Sequence, residues 1–414
     1  MTKHLEFDVV VVGAGPAGLS AATALRQAGV ERVVVVDREK AAGGTPRHCA
    51  HSPYGFREYR RPMLGPSYAR HLVRTAIGAG VAIMTETTVT ELAPGPRVTV
   101  STPGGTATIS ASRVVLATGA RETSRAARFI GGARVAGVMS TGALQAMTHL
   151  AKRRPFQRPV ILGTELVAFS SILTCLTHAI RPVAMVEPRS KITAFPAAAC
   201  LPAMLGVPVH RNTDIGAILG SSRVEAVVLR SPDGRELRVE ADGVIVTGRF
   251  VPEATLLGAF LVRDEGTGGP RVDQFGRCSD PCYFAAGNLL RPVETAGWSW
   301  DEGQSVAQHV VRSLGNDLPP ADRHAIEIRP CEGVKYAVPQ RFASPALLPP
   351  DQCLQVRIAE HGAGALTLRD QAGRELYRKN ITARPERRVL IPVGSTLGKG
   401  PGTVHVQFER EQRP

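Results

Sequence analysis

Three features of this 414-residue sequence predict an α/β fold with two nucleotide-binding units and a small β module. A glycine-rich stretch near the N-terminus lies between an apolar run and a helical run. A second stretch from Arg158 repeats that layout at the same spacing. After about residue 325 the chain changes to short alternating apolar segments separated by turn signals.

The first unit opens with Phe7-Asp8-Val9-Val10-Val11-Val12, a β-branched run suited to a buried parallel strand. It leads at once into Gly13-Ala14-Gly15-Pro16-Ala17-Gly18 and the helical stretch Leu19 to Ala28. Gly13 permits the tight turn, Gly15 lets the backbone approach a diphosphate, and Gly18 lets helix pack closely on strand. The helix opening at Pro16 and Ala17 offers free N–H groups and a positive dipole end to phosphates. A second strand, Val33 to Val36, ends at Asp37, where a carboxylate takes ribose hydroxyls, with Arg38 beside it. These are the marks of a Rossmann-like dinucleotide-binding domain.

Further elements follow in order. Gly43-Gly44-Thr45 supplies a loop able to run along an extended cofactor. Thr88-Val89 resembles a backbone contact to adenine, and Val114 to Gly119 is a strand followed by Ala117-Thr118-Gly119. Cys282 to Asn288 is an apolar strand ending in Gly287-Asn288. This last element resembles the motif with which glutathione-reductase-like flavoproteins hold the ribityl chain of FAD, with Asn288 in place of aspartate. Asn288 keeps hydrogen-bonding capacity there with one charge fewer. FAD is therefore the expected cofactor.

In the second unit the strand Val160-Ile161-Leu162 precedes Gly163, a helical stretch from Val167 to His178, and a strand ending at Glu187. Gly13 to Asp37 and Gly163 to Glu187 both span 24 positions (37 − 13 and 187 − 163). At that spacing Glu165 stands where the second glycine belongs and Ala168 where the third belongs. A side chain at the second position obstructs the diphosphate, and a carboxylate adds like-charge repulsion. NAD(P) binding is accordingly expected to be weak or lost. Glu187 still stands where a ribose-binding acid belongs, so a working nicotinamide site with a shifted loop stays open as the second reading.

Asp242 to Arg249 returns the chain to the first unit. The expected division is 1–125 for the first half of the FAD domain, 126–250 for the degenerate NAD(P)-like domain, 251–318 for the second half, and 325–414 for a β-sandwich-like module. A helix from Trp298 through Gly303 and Gln304 is expected to aim its N-terminus at the flavin, favouring the anion that reduced flavin carries. Trp298 is expected to wall the ring from water.

From about residue 10 to 315 the chain resembles the FAD-dependent pyridine nucleotide-disulfide oxidoreductase-like proteins, near the FAD subunits of hydrogen cyanide synthase, opine oxidase and heteromeric sarcosine oxidase. The resemblance rests on Gly43-Gly44 through Arg47-His48-Cys49-Ala50-His51, Leu64 to Tyr68, Ala117 to Glu122, Thr247 to Glu253, and Phe284 to Asn288. It implies a second flavoprotein or dehydrogenase subunit as partner and a small-molecule substrate. The departure is at Pro46 and His51, which occupy positions where disulfide reductases of this kind carry redox cysteines. With Cys49 alone in that loop, dithiol catalysis is not expected. His51 is the first candidate for the base that takes a proton from substrate nitrogen or oxygen, and Cys49 is a second candidate catalytic side chain. Arg47 or Arg57 is a candidate to hold a substrate carboxylate.

A net charge of +14 admits nucleic acid as a partner in principle. The arginines are scattered and no stretch interleaves them with aromatics, so nucleic acid is not expected. Seven widely spread cysteines without a C-x-x-C signal neither a disulfide framework nor a metal site and fit a cytoplasmic protein. The apolar run Val9 to Leu25 is broken by the glycine turn and is no transmembrane segment. Three functional readings result: an FAD-dependent oxidoreductase subunit acting on an amine, amino acid or polyol-type substrate; an NAD(P)H-dependent flavin reductase; and a non-catalytic scaffold stabilised by FAD.

Overall fold

The computed structural model describes residues 3–321, 325–343, 348–385, 387–394, 396–397 and 402–411. Of the module expected over 325–414, the other positions lie outside the described residues.

The first sheet is built on β1 (Lys3–Val12). It continues, after helix α1 (Pro16–Gln27), with β2 (Val33–Val36); helix α2 (Gly65–Gly78) leads to β3 (Ala82–Met84). Three antiparallel-linked strands follow: β4 (Thr88–Ala93), β5 (Arg97–Thr102) and β6 (Gly105–Leu116). The order is β3-β2-β1-β6-β5-β4. Val9 to Val12 pair with Val33 to Val36 on one side and Arg113 to Leu116 on the other, all parallel. Alternation then sends Val10, Val12 and Val114 to one face and Val9, Val11 and Val115 to the other, and both faces are dry. A strand buried on two sides is a continuous apolar run, which is why the sequence reads VVVV twice.

The second sheet comprises β7 (Val138–Ser140), β8 (Pro159–Leu162), β9 (Ala184–Glu187), β10 (Val209–Arg211) and, after the antiparallel ribbon β11 (Asp214–Leu219), β12 (Ala226–Arg230) and β13 (Glu236–Glu240), strand β14 (Gly243–Val246). Its order is β10-β9-β8-β14-β7, all parallel, so the strand order reverses between β8 and β14. Helix α3 (Leu166–Thr177) covers one face through Phe169 and Ile172, and the ribbon covers the other. The chain leaves the first sheet at Ala120–Arg121 and returns at Val251–Pro252, and these two segments pair with each other. Residues after the return rejoin the first sheet: β15 (Tyr283–Ala285) pairs with Val114 to Leu116, and α4 (Ala296–Leu314) lies beside α1.

The last region is two sheets around one core. One sheet carries β16 (Ile326–Pro330), and the other begins with β17 (Val334–Val338). They continue through β18 (Cys353–Ile358), β19 (Gly362–Asp370), β20 (Glu375–Ala383), β21 (Arg388–Pro392) and β22 (Gly402–Arg410). Leu354, Val356, Ile358, Leu366, Leu368, Ile391, Val406 and Phe408 form the shared interior. The sandwich is not wholly antiparallel, since β16 pairs with β22 in parallel. Strand β20 escaped the sequence reading because its centre, Arg378-Lys379-Asn380, is exposed at a sheet edge and carries no apolar alternation.

Candidate functional site: two crevices compared

The first crevice lies at the carboxyl ends of β1, β2 and β6. Gly13 takes φ +107, and a Cβ there would overlap the Ala117 carbonyl; a Cβ on Gly18 would overlap the Gly13 carbonyl. Gly15 differs from both. It has φ −83, an ordinary value, and a Cβ on it would meet nothing within 4 Å. Its lack of a side chain is thus not required by the protein's own packing, and it faces the space that a diphosphate would use. No side chain caps α1, so the N–H groups of Ala17 and Gly18 at its start have no side-chain acceptor. Asp37 accepts the Ala14 N–H at 2.6 Å and the Glu39 N–H at 2.8 Å, which fixes the carboxylate at the strand end with lone pairs to spare. Arg38 and Thr45 are exposed beside this edge. Gly44 (φ +62) presses on Gly15, where a Cβ would come within 2.7 Å of the Gly15 Cα. This cradle fits an extended dinucleotide such as FAD.

Other predicted contacts serve the frame. The Ala117 N–H donates to Val12 O at 2.8 Å, Thr118 donates its hydroxyl to Glu253 O at 2.7 Å, and Gly119 (φ +76) accepts from Glu253 N at 2.9 Å. Val89 is buried in the β4–β5 ladder opposite Val100. Gly287 (φ +75) lies against Ala17, where a Cβ would approach the alanine methyl to 2.8 Å. The expectations for five residues change. A Cβ on Gly303 would overlap the Ala17 carbonyl, and Gln304 donates to Ser20 O at 3.1 Å and Ser20 Oγ at 2.9 Å, so both belong to the α1–α4 contact. Asn288 donates to Glu294 O at 3.2 Å and accepts from Glu294 N at 2.7 Å, which closes its own loop. Trp298 has no free face for a flavin. The Arg57 guanidinium sits 3.3 Å from its ring centroid and that of Arg388 3.7 Å. Arg57 also pairs with Asp301, so it is not free for a substrate carboxylate.

In the second crevice the same frame is filled. Gly163 has φ +125, as Gly13 has φ +107. Glu165 starts α3 and turns its carboxylate inward, where Thr247 donates to it at 2.9 Å. A Cβ on Gly163 or Gly248 would overlap this carboxylate, so it bridges the ends of β8 and β14 at the point where strand order reverses. That is where open α/β sheets bind their ligands. Burial pushes the Glu165 carboxyl up to about 7, against the pull of Thr247 and Arg128. Arg128 donates to the carbonyl of Gly248 at 2.7 Å, and Glu122 accepts from Gly142 N at 2.8 Å and Gly248 N at 3.2 Å. Glu187 is buried and accepts from Thr164, from Thr193 at 3.2 Å and from Arg189 N at 3.0 Å.

The loop carrying the catalytic candidates lies against the second unit. Cys49 is buried and donates to Gln145 Oε1 at 3.2 Å; Gln145 in turn donates to Ser170 at 2.8 Å. Burial pushes the Cys49 thiol up to about 11, so it is a neutral thiol at ordinary pH rather than a nucleophile. His51 stands 5.4 Å from Tyr54, ring to ring, and burial lowers its pKa, which keeps the imidazole neutral. His48 falls to about 4 through burial and the nearby Arg47 and His149. The His149 and His178 rings meet edge to face with centroids 4.6 Å apart. Gln145 and His149 carried no local sequence signal, because only the interdomain contact brings them to Cys49 and His48. All seven cysteines are free, and the described residues contain no cluster able to hold a metal ion. No described helix is long and apolar enough to cross a membrane.

Comparison with known proteins agrees with this architecture. The chain is 29% identical over 300 residues to a thioredoxin reductase of Treponema pallidum (strain Nichols), covering 70% of this chain and 92% of that protein. It is 28% identical over 264 residues to sarcosine oxidase subunit alpha of Corynebacterium sp. (strain P-1), covering 60% of this chain and 27% of that longer protein. The thioredoxin reductase structure of T. acidophilum superposes with a TM-score of 0.63 at 22% identity, over 75% of this chain and 99% of that one. The pyridine nucleotide-disulphide oxidoreductase family model matches residues 7–308. The chain belongs to that family and is an FAD-dependent oxidoreductase.

Proposed function

We propose that this protein oxidises a small amine, amino acid or polyol-type substrate and passes the electrons to a partner flavoprotein subunit, a quinone or oxygen. The observation that carries this reading is the contrast between Gly15, open to a diphosphate, and Glu165, whose carboxylate lies across the matching crevice. A nicotinamide dinucleotide would have to displace a buried side chain and set its own diphosphate beside an acid. The match to a sarcosine oxidase subunit supports the heteromeric part of the proposal.

Bound FAD supplies a two-electron acceptor. The α1 N-terminus and the Gly15 backbone hold its diphosphate, and Asp37 takes ribose hydroxyls. His51, kept neutral by burial, would take the proton from substrate nitrogen or oxygen. Cys49 and Gln145 hold the loop against the second unit and take no proton.

A second reading, an NAD(P)H-dependent reductase, is supported by the similarity to a thioredoxin reductase and by one structural observation. Glu187 is the last residue of β9 and Asp37 directly follows β2, and Glu187 accepts the Thr164 hydroxyl where Asp37 accepts the Ala14 N–H. Anaerobic mixing separates the two. Prompt bleaching of the flavin by NADH or NADPH would establish the reductase. Bleaching by an amine, amino acid or polyol in the co-purified complex, with none by NADH, would establish the dehydrogenase.

A further inference from the structure

The loop from Gly287 to Thr295 joins β15 to α4 and carries the Gly287-Asn288 pair beside α1. Its shape is held from two sides. From α4, Glu302 accepts the Gly287 N–H at 2.6 Å and an Arg291 N–H at 2.7 Å. From within, the Asn288 amide grips both backbone polar groups of Glu294.

The carboxylate of Glu294 points the other way, into the C-terminal sandwich, and its side chain is 6% exposed. Gln355 donates to it at 2.6 Å, Arg357 at 2.9 Å, and Arg388 donates to its second oxygen. These three lie on β18 and β21, adjacent strands in register, with Arg357 opposite Arg388. The two preceding residues are held by the same sheet. Tyr336 donates to Pro292 O at 2.8 Å, and Arg357 donates to Val293 O at 3.4 Å. Arg388 then stacks on Trp298 in the first turn of α4.

A carboxylate this buried requires these donors, since without them it would lose solvation and gain nothing in return. An attachment module needs no such contact with the cofactor side of the molecule. We propose that the C-terminal β sandwich is an internal clamp on the Gly287 to Thr295 loop, which lies against α1 at the first crevice, and that Glu294 is its positioning residue, transmitting the hold of Gln355 and Arg388 to Asn288 and Gly287. The proposal rests on FAD binding in the first crevice and deepens that reading. The sandwich acts on cofactor geometry through the Glu294 backbone, without touching the cofactor crevice itself.

The test uses the full-length protein stripped of flavin, with Gln355→Leu, Arg388→Met and Glu294→Gln made separately. FAD is titrated in while flavin fluorescence is followed, and the visible spectrum and midpoint potential of the reconstituted protein are recorded. The clamp predicts FAD binding weakened by about tenfold, the effect of one lost charge-assisted hydrogen bond, with far-UV circular dichroism unchanged. It also predicts a shifted flavin band and potential, which a purely structural contact would leave alone. Gln355→Leu removes only an uncharged donor, so it remains informative should Arg388→Met fail to fold. Combined with Asn288→Ala, Glu294→Gln is expected to be non-additive, because both act along one path. Unchanged FAD affinity and spectrum in Gln355→Leu and Glu294→Gln, or strict additivity with Asn288→Ala, would overturn the clamp. Failure of the unaltered protein to bind FAD would instead overturn the cofactor reading on which it rests.

Discussion

The Glu165 carboxylate lies directly over Gly248, where an added Cβ would overlap its Oε1. Two strand ends that would frame a dinucleotide are therefore bridged by the chain itself. Replacing Glu165 by Gly at its ordinary φ of −72 costs no backbone strain and empties the crevice. NADH affinity, followed by calorimetry, is expected to rise at least about tenfold, since both an obstruction and a repulsion are removed. No gain would mean that the side chain is not what obstructs this crevice.

The same carboxyl makes a pH prediction. Burial raises Glu165 from its ordinary 4.5 to about 7, so the fold favours the protonated form. Below about pH 4.5 the group imposes no penalty. As pH rises from about 4.5 to 7 the unfolded chain releases this proton while the folded state retains it, so stability falls across that window and stays low above 7, where the buried group is ionised. Glu165→Gln is expected to leave urea stability unchanged near pH 4.5 and to raise it by on the order of 2 kcal/mol at pH 8.

The glycines of the first turn are expected to fail differently. In Gly15→Ala the methyl enters open space at an ordinary φ, so folding is preserved while FAD affinity falls by about tenfold or more. In Gly18→Ala the methyl overlaps the Gly13 carbonyl, and thermal stability falls before cofactor binding is tested. Equal losses of stability in both variants would refute this division of roles.

His51→Asn is expected to lower kcat by about 10²–10⁴-fold with FAD still bound. Because burial lowers the imidazole pKa, the acid limb of kcat/KM in the unaltered enzyme should lie below the usual 6.5 and vanish in the variant. Retention of that limb would assign the base elsewhere.

Cys49→Ser keeps a donor toward Gln145, and the buried thiol is neutral in any case. Activity is expected to stay within about threefold, and thiol alkylation of the native protein should leave it unaffected. Inactivation on alkylation at Cys49 would restore the thiol as a catalytic group.

Local pattern carried much of this protein. Two valine runs buried on both faces, the spacing from each turn glycine to its acid, and the alternation of β18 and β22 are all written along the chain, because strands and glycine turns impose their chemistry on neighbouring residues. That Glu165 is misplaced was visible from spacing alone. That it closes the crevice required Thr247 and Gly248, more than 80 positions away, since only sheet pairing brings β8 beside β14. Gln304 and Trp298 read as cofactor contacts by position, yet Ser20 claims one and two guanidiniums the other. The partners of Cys49 and Glu294 come from separate units of the chain, where no periodicity records them. Sequence determined which frames form, through short-range sterics and burial pattern. Tertiary structure decided which polar groups those frames leave free, because a buried donor or acceptor takes whichever partner the packing brings within reach.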